Sequence, residues 1–392
     1  MRLVDFLNRI AVFYSNSFRQ RQLNVWVFGE WFGKRTGDNV SYFANYMAEN
    51  YRDIELYWLC DPSCPTSRLH SRIRVVDYTS KEAIDVLKRA SVAVMGEGIA
   101  DLNPNAQNYL GNAIKVNLWH GIMWKKIGND AEVSRAAGVA GAIRRKLYHY
   151  DYFVSPSDAY SEHIKTAFDA SDEDLICAGL PRNCIFYDED RVRQCRSALE
   201  SRLGTEKPIL VSYLPTFRDS GSTPFSFSSL RDPAFEQWLR EKNVFILQKA
   251  HAAEKGSFGA DQGRILTVED IPAQELMAAS DVLITDYSSC FFDYLLLDRP
   301  IIHFLYDYDF YKDRDRGLYY EKEEVVCGEA PQTPEELMAA IRRSVEAPMQ
   351  DQRLRALRRE KFLTYEGPDS CKKIADFLVA RTNKRGRKSR SI

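Results

Sequence analysis

The chain has 392 residues, 45% of them apolar and 28% charged, a globular balance that excludes a disordered chain and allows two to three domains. Its 54 Lys and Arg against 55 Asp and Glu leave a net charge of −1, which excludes a nucleic-acid binder with a generally basic surface. No apolar run reaches the roughly 18 residues of a transmembrane helix. Arg9 and Asn16 interrupt the apolar positions of residues 1–22, so no signal peptide is predicted and a cytoplasmic chain is expected. The 8 Cys are irregularly spaced, as reduced thiols are. Cys60 and Cys64 have no second pair to complete a zinc site.

Leu3, Phe6, Leu7, Ile10, Phe13 and Tyr14 follow helical spacing. Such a helix either packs on its own domain or lies on a membrane surface with Arg19 and Arg21 near lipid headgroups. Residues 24–29 (NVWVFG) then read as a buried strand, 38–51 as a helix capped by Asp38, and 54–60 as a second strand. An amphipathic helix follows at 80–90. Strands are predicted at 91–95 and 114–119, the latter ending in a Trp-His-Gly turn. Residues 152–155 form a short strand and 158–168 a helix.

The alternation restarts with strands at 208–214, 244–249, 281–285 and 300–305. Helices are predicted at 233–242, 272–279, 290–297, 333–345 and 368–381. Two sets of strand–helix–strand units imply an α/β chain with two Rossmann-like, doubly wound parallel-sheet domains facing across a cleft. The expected division is an N-terminal helix at 1–23, domains at 24–185 and 186–380, and a basic tail at 381–392. That tail carries Arg381, Lys384, Arg385, Arg387, Lys388 and Arg390 with no acid, and reads either as a solvated tail or as an anchor for anionic lipid.

Ligands of such sheets sit at strand carboxyl ends, which singles out two of the 6 His. His120 ends one strand in the first half and His251 follows another in the second. Ser288 and Ser289 fall between a strand and a helix, where hydroxyls and free N–H groups suit an anion; plain N-capping is the other reading. Thr216 and Arg218 follow a strand end in the same way, and a guanidinium offers a fork to phosphate. Lys125 and Lys126 lie just beyond the Trp-His-Gly turn and are read either as phosphate partners or as a solvated basic patch. Asp286 reads as a structural cap. The Asp307–Asp309 and Asp313–Asp315 strings do not sit cleanly at strand ends, so no metal is predicted. Dinucleotide, P-loop and nucleophile-elbow motifs are absent.

Several strings together resemble the CDP-glycerol glycerophosphotransferase family of teichoic acid and capsule synthesis. They are WVFGEWFGKRTGDN at 26–39, NLWHGIMWKKIG at 117–128, GLPRN at 179–183, LPTFRD at 214–219, His251 after its strand, and SDVLITDYSSCFFDYLLLDRPIIHFLYD at 280–307. One departure is Ala252 after His251, where the family has Pro. The resemblance implies a GT-B-like fold, no metal or other cofactor, a CDP-glycerol or CDP-ribitol donor and a lipid-linked saccharide or polymer acceptor. It implies a peripheral place on the inner face of the cell membrane. It carries over His120 and His251 as functional histidines and Thr216, Arg218, Ser288 and Ser289 as phosphate binders, with cytosine near 268–272. The expected reaction is transfer of glycerol or ribitol phosphate to a hydroxyl with release of CMP. His120 would be the base, and His251 and Arg218 would stabilise the diphosphate. The rival readings are a GT-B glycosyltransferase using a nucleotide sugar and a catalytically silent membrane-surface scaffold.

Overall fold

The computed structural model describes residues 15–131, 149–216, 225–227, 230, 232–249, 261–308 and 317–390, with side chains as far as 385. The helix expected within 1–14, Arg218, His251, Asp309, Asp313 and Asp315 lie outside the described residues. The chain divides into two compact units. The first comprises Met1–His120, Ser134–Cys184 and Tyr365–Ile392. The second comprises Gly121–Val133 and Ile185–Thr364.

The first unit is built on a seven-stranded sheet with the order β3-β2-β1-β4-β5-β6-β7, every pair parallel. Its strands are β1 (Gln22–Gly29), β2 (Glu55–Cys60), β3 (Arg74–Asp77), β4 (Ala90–Met95), β5 (Ile114–Asn117), β6 (Tyr152–Ser155) and β7 (Leu175–Cys177). Alternation along β1 serves both faces of the sheet. Val25 and Val27 pack with Val86 and Leu87 of helix α2 (Lys81–Arg89). Trp26 and Phe28 pack with Phe43 and Met47 of helix α1 (Asn39–Asn50). Asp38 caps α1, its side chain accepting from Asn39 N, and Ser80 caps α2 by accepting from Ala83 N. Helix α3 (Asp158–Phe168) links β6 to β7.

The second unit repeats the winding with five parallel strands in the order β10-β9-β8-β11-β12. These are β8 (Ile209–Leu214), β9 (Val244–Gln248), β10 (Ile265–Thr267), β11 (Val282–Thr285) and β12 (Ile301–His303). Helices α4 (Glu189–Leu203), α5 (Pro233–Glu241), α6 (Ala273–Ala279), α7 (Cys290–Tyr294), α8 (Pro334–Glu346) and α9 (Gln352–Phe362) accompany them. Phe235 and Trp238 of α5 and Leu337 and Ile341 of α8 share one core with Val211, Ile246 and Ile284 of the sheet. The helix expected at 290–297 stops at Tyr294 and tightens to a 3₁₀ turn at Leu295–Leu297.

The chain's end corrects two expectations. Helix α10 runs over Ser370–Arg390, so most of the segment read as a basic tail is helical. Chain order alone assigns this helix to the second domain, yet it packs on α1, β1 and β4 of the first unit. Ile374 and Leu378 enter that core. The Arg381 guanidinium lies 4.9 Å from the Phe377 ring centroid, Thr382 is buried, and Arg385 donates to Asn112 O and pairs with Asp151. Arg21 also packs on the first unit. Its guanidinium is half-buried and donates to Asn112 Oδ1 and to the carbonyls of Leu87, Lys88, Asn16 and Tyr109, so it closes the end of α2 as the reading of a segment packed on its own domain expects.

Candidate active site

In both sheets the winding reverses between two neighbouring strands, β1 and β4 in the first unit, β8 and β11 in the second. The loops leaving their carboxyl ends are where such sheets hold ligands. In the first unit β1 leads into Glu30 and Trp31, β4 into Gly96-Glu97-Gly98, and neighbouring β5 into Trp119 and His120. The middle loop is fixed by a buried carboxylate. Asp101 Oδ2 accepts from the N–H groups of Gly96, Glu97 and Gly98, and Oδ1 accepts from Phe32 N at 2.7 Å. Burial raises the Asp101 pKa to about 6 despite those N–H bonds.

The His120 backbone is held as firmly. Asn117 Oδ1 accepts from Trp119 N at 2.7 Å, and Trp119 sits in the left-handed region at φ 53. This ends β5 two residues before the strand predicted at 114–119. Asn39 Nδ2 donates to Trp119 O at 2.8 Å. Arg182, buried, donates to His120 O at 2.7 Å and to Asp38 Oδ1 at 2.9 Å.

The His120 imidazole stacks on Trp119 at 4.6 Å between centroids and lies 5.9 Å from the Trp31 ring. Its Nδ1 is 3.0 Å from Glu97 Oε2, and the side chain is 33% exposed. The approach is off-axis for a full hydrogen bond, and Nδ1 is buried. Accessible ring edge is therefore the other one. Burial opposes charging of the ring, but Glu97 and then Asp38 outweigh it, so the pKa is raised above the ordinary imidazole value. Such a group is an imidazole still able to take a proton near neutral pH.

In the second unit Thr216 and Asp286 meet where the winding reverses. Asp286 Oδ1 accepts from Thr216 N at 2.8 Å, from Tyr287 N at 2.7 Å and from the Thr216 hydroxyl. Asp286 is a buried fastener between two strand ends. Ser288 Oγ accepts from Cys290 N at 3.4 Å, and Ser289 occupies the cap position of α7 without a capping bond from its side chain. Because α7 is only five residues long, any anion there would rely on hydroxyls and N–H groups more than on a helix dipole. Trp124 stands 5.7 Å from the Tyr287 ring and 6.0 Å from that of Phe291, which brings the Lys125–Lys126 segment beside this turn. Lys125 bridges Leu318, and Lys126 N donates to Gly317 O. The structure thus assigns Thr216, Ser288, Ser289, Lys125 and Lys126 to the second unit and His120 to the first.

The sequence did not single out two neighbours of His120, Glu97 and Arg182, or Asp101, which holds the Glu97 loop. A Gly-Glu-Gly string directly after a buried strand was the available signal for Glu97. His303, one of the four His not singled out by the sequence, is fully buried with Nε2 3.4 Å from Cys327 Sγ, and burial pushes its pKa down to about 3. Among the described residues no group of three His, Cys, Asp or Glu is arranged to hold a metal ion.

Residues 12–380 match the family described as CDP-glycerol:poly(glycerophosphate) glycerophosphotransferase. The chain is 26% identical to the teichoic acid poly(glycerol phosphate) polymerase of Bacillus spizizenii, over 96% of this chain and 98% of that one. It is 24% identical to the teichoic acid glycerol-phosphate transferase of Staphylococcus aureus, over 91% and 92% of the two chains. With the teichoic acid ribitol-phosphate primase of Bacillus spizizenii it shares 28% identity over 68% and 69%. Among solved structures, the wall teichoic acid polymerase TagF is similar with a TM-score of 0.80 and 22% identity, covering 96% of this chain and 93% of that one. Staphylococcus aureus MnaA with UDP gives a TM-score of 0.54 at 10% identity, covering 91% and 97%. At these identities the likeness is one of fold, GT-B-like as expected.

Proposed function

Because the chain belongs to the CDP-glycerol:poly(glycerophosphate) glycerophosphotransferase family, we infer that it is a transferase that moves an alditol phosphate from a CDP-alditol to an acceptor hydroxyl, as in teichoic acid synthesis. CDP-glycerol is its donor class, and the relatives include ribitol-phosphate enzymes as well. The observation that carries the mechanism is His120, clamped at a strand end with one ring edge accessible and Glu97 against the other.

An alcohol is a weak nucleophile at neutral pH, and a positioned base lowers its barrier by about 10²–10⁴ in rate. His120 takes the hydroxyl proton as the oxygen bonds to the alditol-bearing phosphorus. The bond from that phosphorus to the CMP oxygen breaks, and CMP leaves with the electron pair. Thr216, Ser288, Ser289, Lys125 and Lys126 supply O–H, N–H and ammonium donors to the diphosphate. Arg218 and His251 are assigned the same task from the family pattern. Charge on a departing phosphate is stabilised by preorganised donors of this kind.

The acceptor is assigned as a lipid-linked saccharide or polymer, and the protein as peripheral on the inner face of the membrane. Among the described residues no helix is long and apolar enough to cross a bilayer. An exposed apolar side chain, Phe18 at 86%, stands next to Arg19 near the start of the described chain, a pairing suited to a lipid interface.

The test is incubation of the purified protein with CDP-glycerol and CDP-ribitol separately. Acceptors are offered in detergent and in anionic vesicles, and CMP is measured. One of the two donors is expected to release CMP in step with acceptor growth, faster on vesicles. CMP release from neither, or transfer of a sugar from a nucleotide sugar instead, contradicts the reading.

A further inference from the structure

A base needs its proton-accepting nitrogen bare and its other nitrogen protonated, and a neutral imidazole carries its single proton on either. Something must choose between them. Around His120 the charged groups are few and unequal. Glu97 reaches it from the β4 end at 3.0 Å from Nδ1, and its carboxylate is 14% exposed. Asp38, at the start of α1, adds a weaker favourable field, and Arg182 opposes it. Arg35 lies over the Trp31 ring, 3.8 Å from its centroid, beside the same acids. Asp101 holds the Glu97 backbone and is engaged by four N–H groups, and Glu30 is bound by Asp38 N and Ser41 N, so neither carboxylate is turned to the imidazole. The two rings on either side, Trp119 and Trp31, restrict tilt and do not titrate. Glu97 Oε1 is buried with no hydrogen-bond partner among the described residues, so its side chain is not committed to another structural bond.

We propose that Glu97 is a positioning residue for His120, its carboxylate accepting the Nδ1–H, fixing that tautomer, and leaving Nε2 as the atom that receives the acceptor's proton. The off-axis approach seen here becomes a full hydrogen bond by a small rotation of the ring, as catalytic contacts commonly do when substrate binds. The carboxylate does not itself take the proton. It stabilises the imidazolium that exists after transfer, and the proton leaves to solvent with the product. This inference rests on the reading of His120 as the base.

The test pairs kinetics with a titration that does not depend on turnover. Glu97→Gln keeps the volume and the backbone N–H that Asp101 holds. Against wild type, kcat with CDP-glycerol is expected to fall at least about tenfold, KM for the donor to hold, and the acid limb of kcat/KM to move to lower pH. The His120 titration followed by NMR is expected to move down by about 1 or more. Glu97→Asp is expected to recover part of the loss. The proposal is overturned if His120 titrates at the same pH in both proteins, or if Glu97→Gln keeps wild-type kcat at every pH. Full turnover by His120→Ala would remove the base reading and this proposal with it, a failure told apart because the NMR titration still reports the pair.

Discussion

His120 and Glu30 are two buried or half-buried titratable groups whose pKa values are both raised by the fold. With its pKa raised mainly against burial by Glu97, His120 is the free base only above the ordinary imidazole value of 6.5. Activity is therefore expected to fall as pH drops through a point above 6.5, seen as an acid limb in kcat/KM; a limb at or below that value would contradict the assignment. On stability the sign is reversed: proton binding by folded His120 stabilises below its unfolded value, and this is lost as pH rises through the folded one. Glu30 is buried, and desolvation followed by Asp38 raises its pKa to about 8. The folded chain holds that proton while the unfolded chain releases it above about 4.5, so stability from this residue falls as pH rises from about 4.5 to about 8. Thermal melts of Glu30→Gln across that range are expected to lose this fall. An unchanged slope would mean that other groups set it.

Hydrophobic runs announced the interior strands, and capping residues announced their helices. The ladders at 24–29, 91–95 and 281–285 and the starts at Asp38 and Ser80 all appear in the structure within a residue or two. What escaped was short or polar. β3, β7 and β10 are edge strands of three or four residues, too brief for alternation to register. α4 and α9 are dominated by charge. Each buries only two side chains, Cys195 and Leu199 in one, Arg355 and Phe362 in the other, so neither shows a continuous apolar stripe. The Gly-Glu-Gly string marks the Glu97 turn in the sequence, but not its pairing with His120. That partner lies on the next strand's loop, and only the parallel pairing of β4 with β5 brings the two together. At this scale Arg21 is the sharpest test. Its guanidinium satisfies the last carbonyls of α2, so Arg21→Ala leaves them without that donor and should cost about 1–3 kcal/mol in denaturant unfolding. A change near zero would show that water replaces it.

Across the whole chain one winding is used twice, and each copy places its polar residues at the carboxyl edge where strand order reverses. The most direct test of the account is CMP release from CDP-glycerol with a lipid-linked acceptor, compared between wild type and His120→Ala alongside donor binding. The account predicts a loss of about 10²–10⁴ in turnover with donor affinity retained. Wild-type turnover in the variant would contradict it.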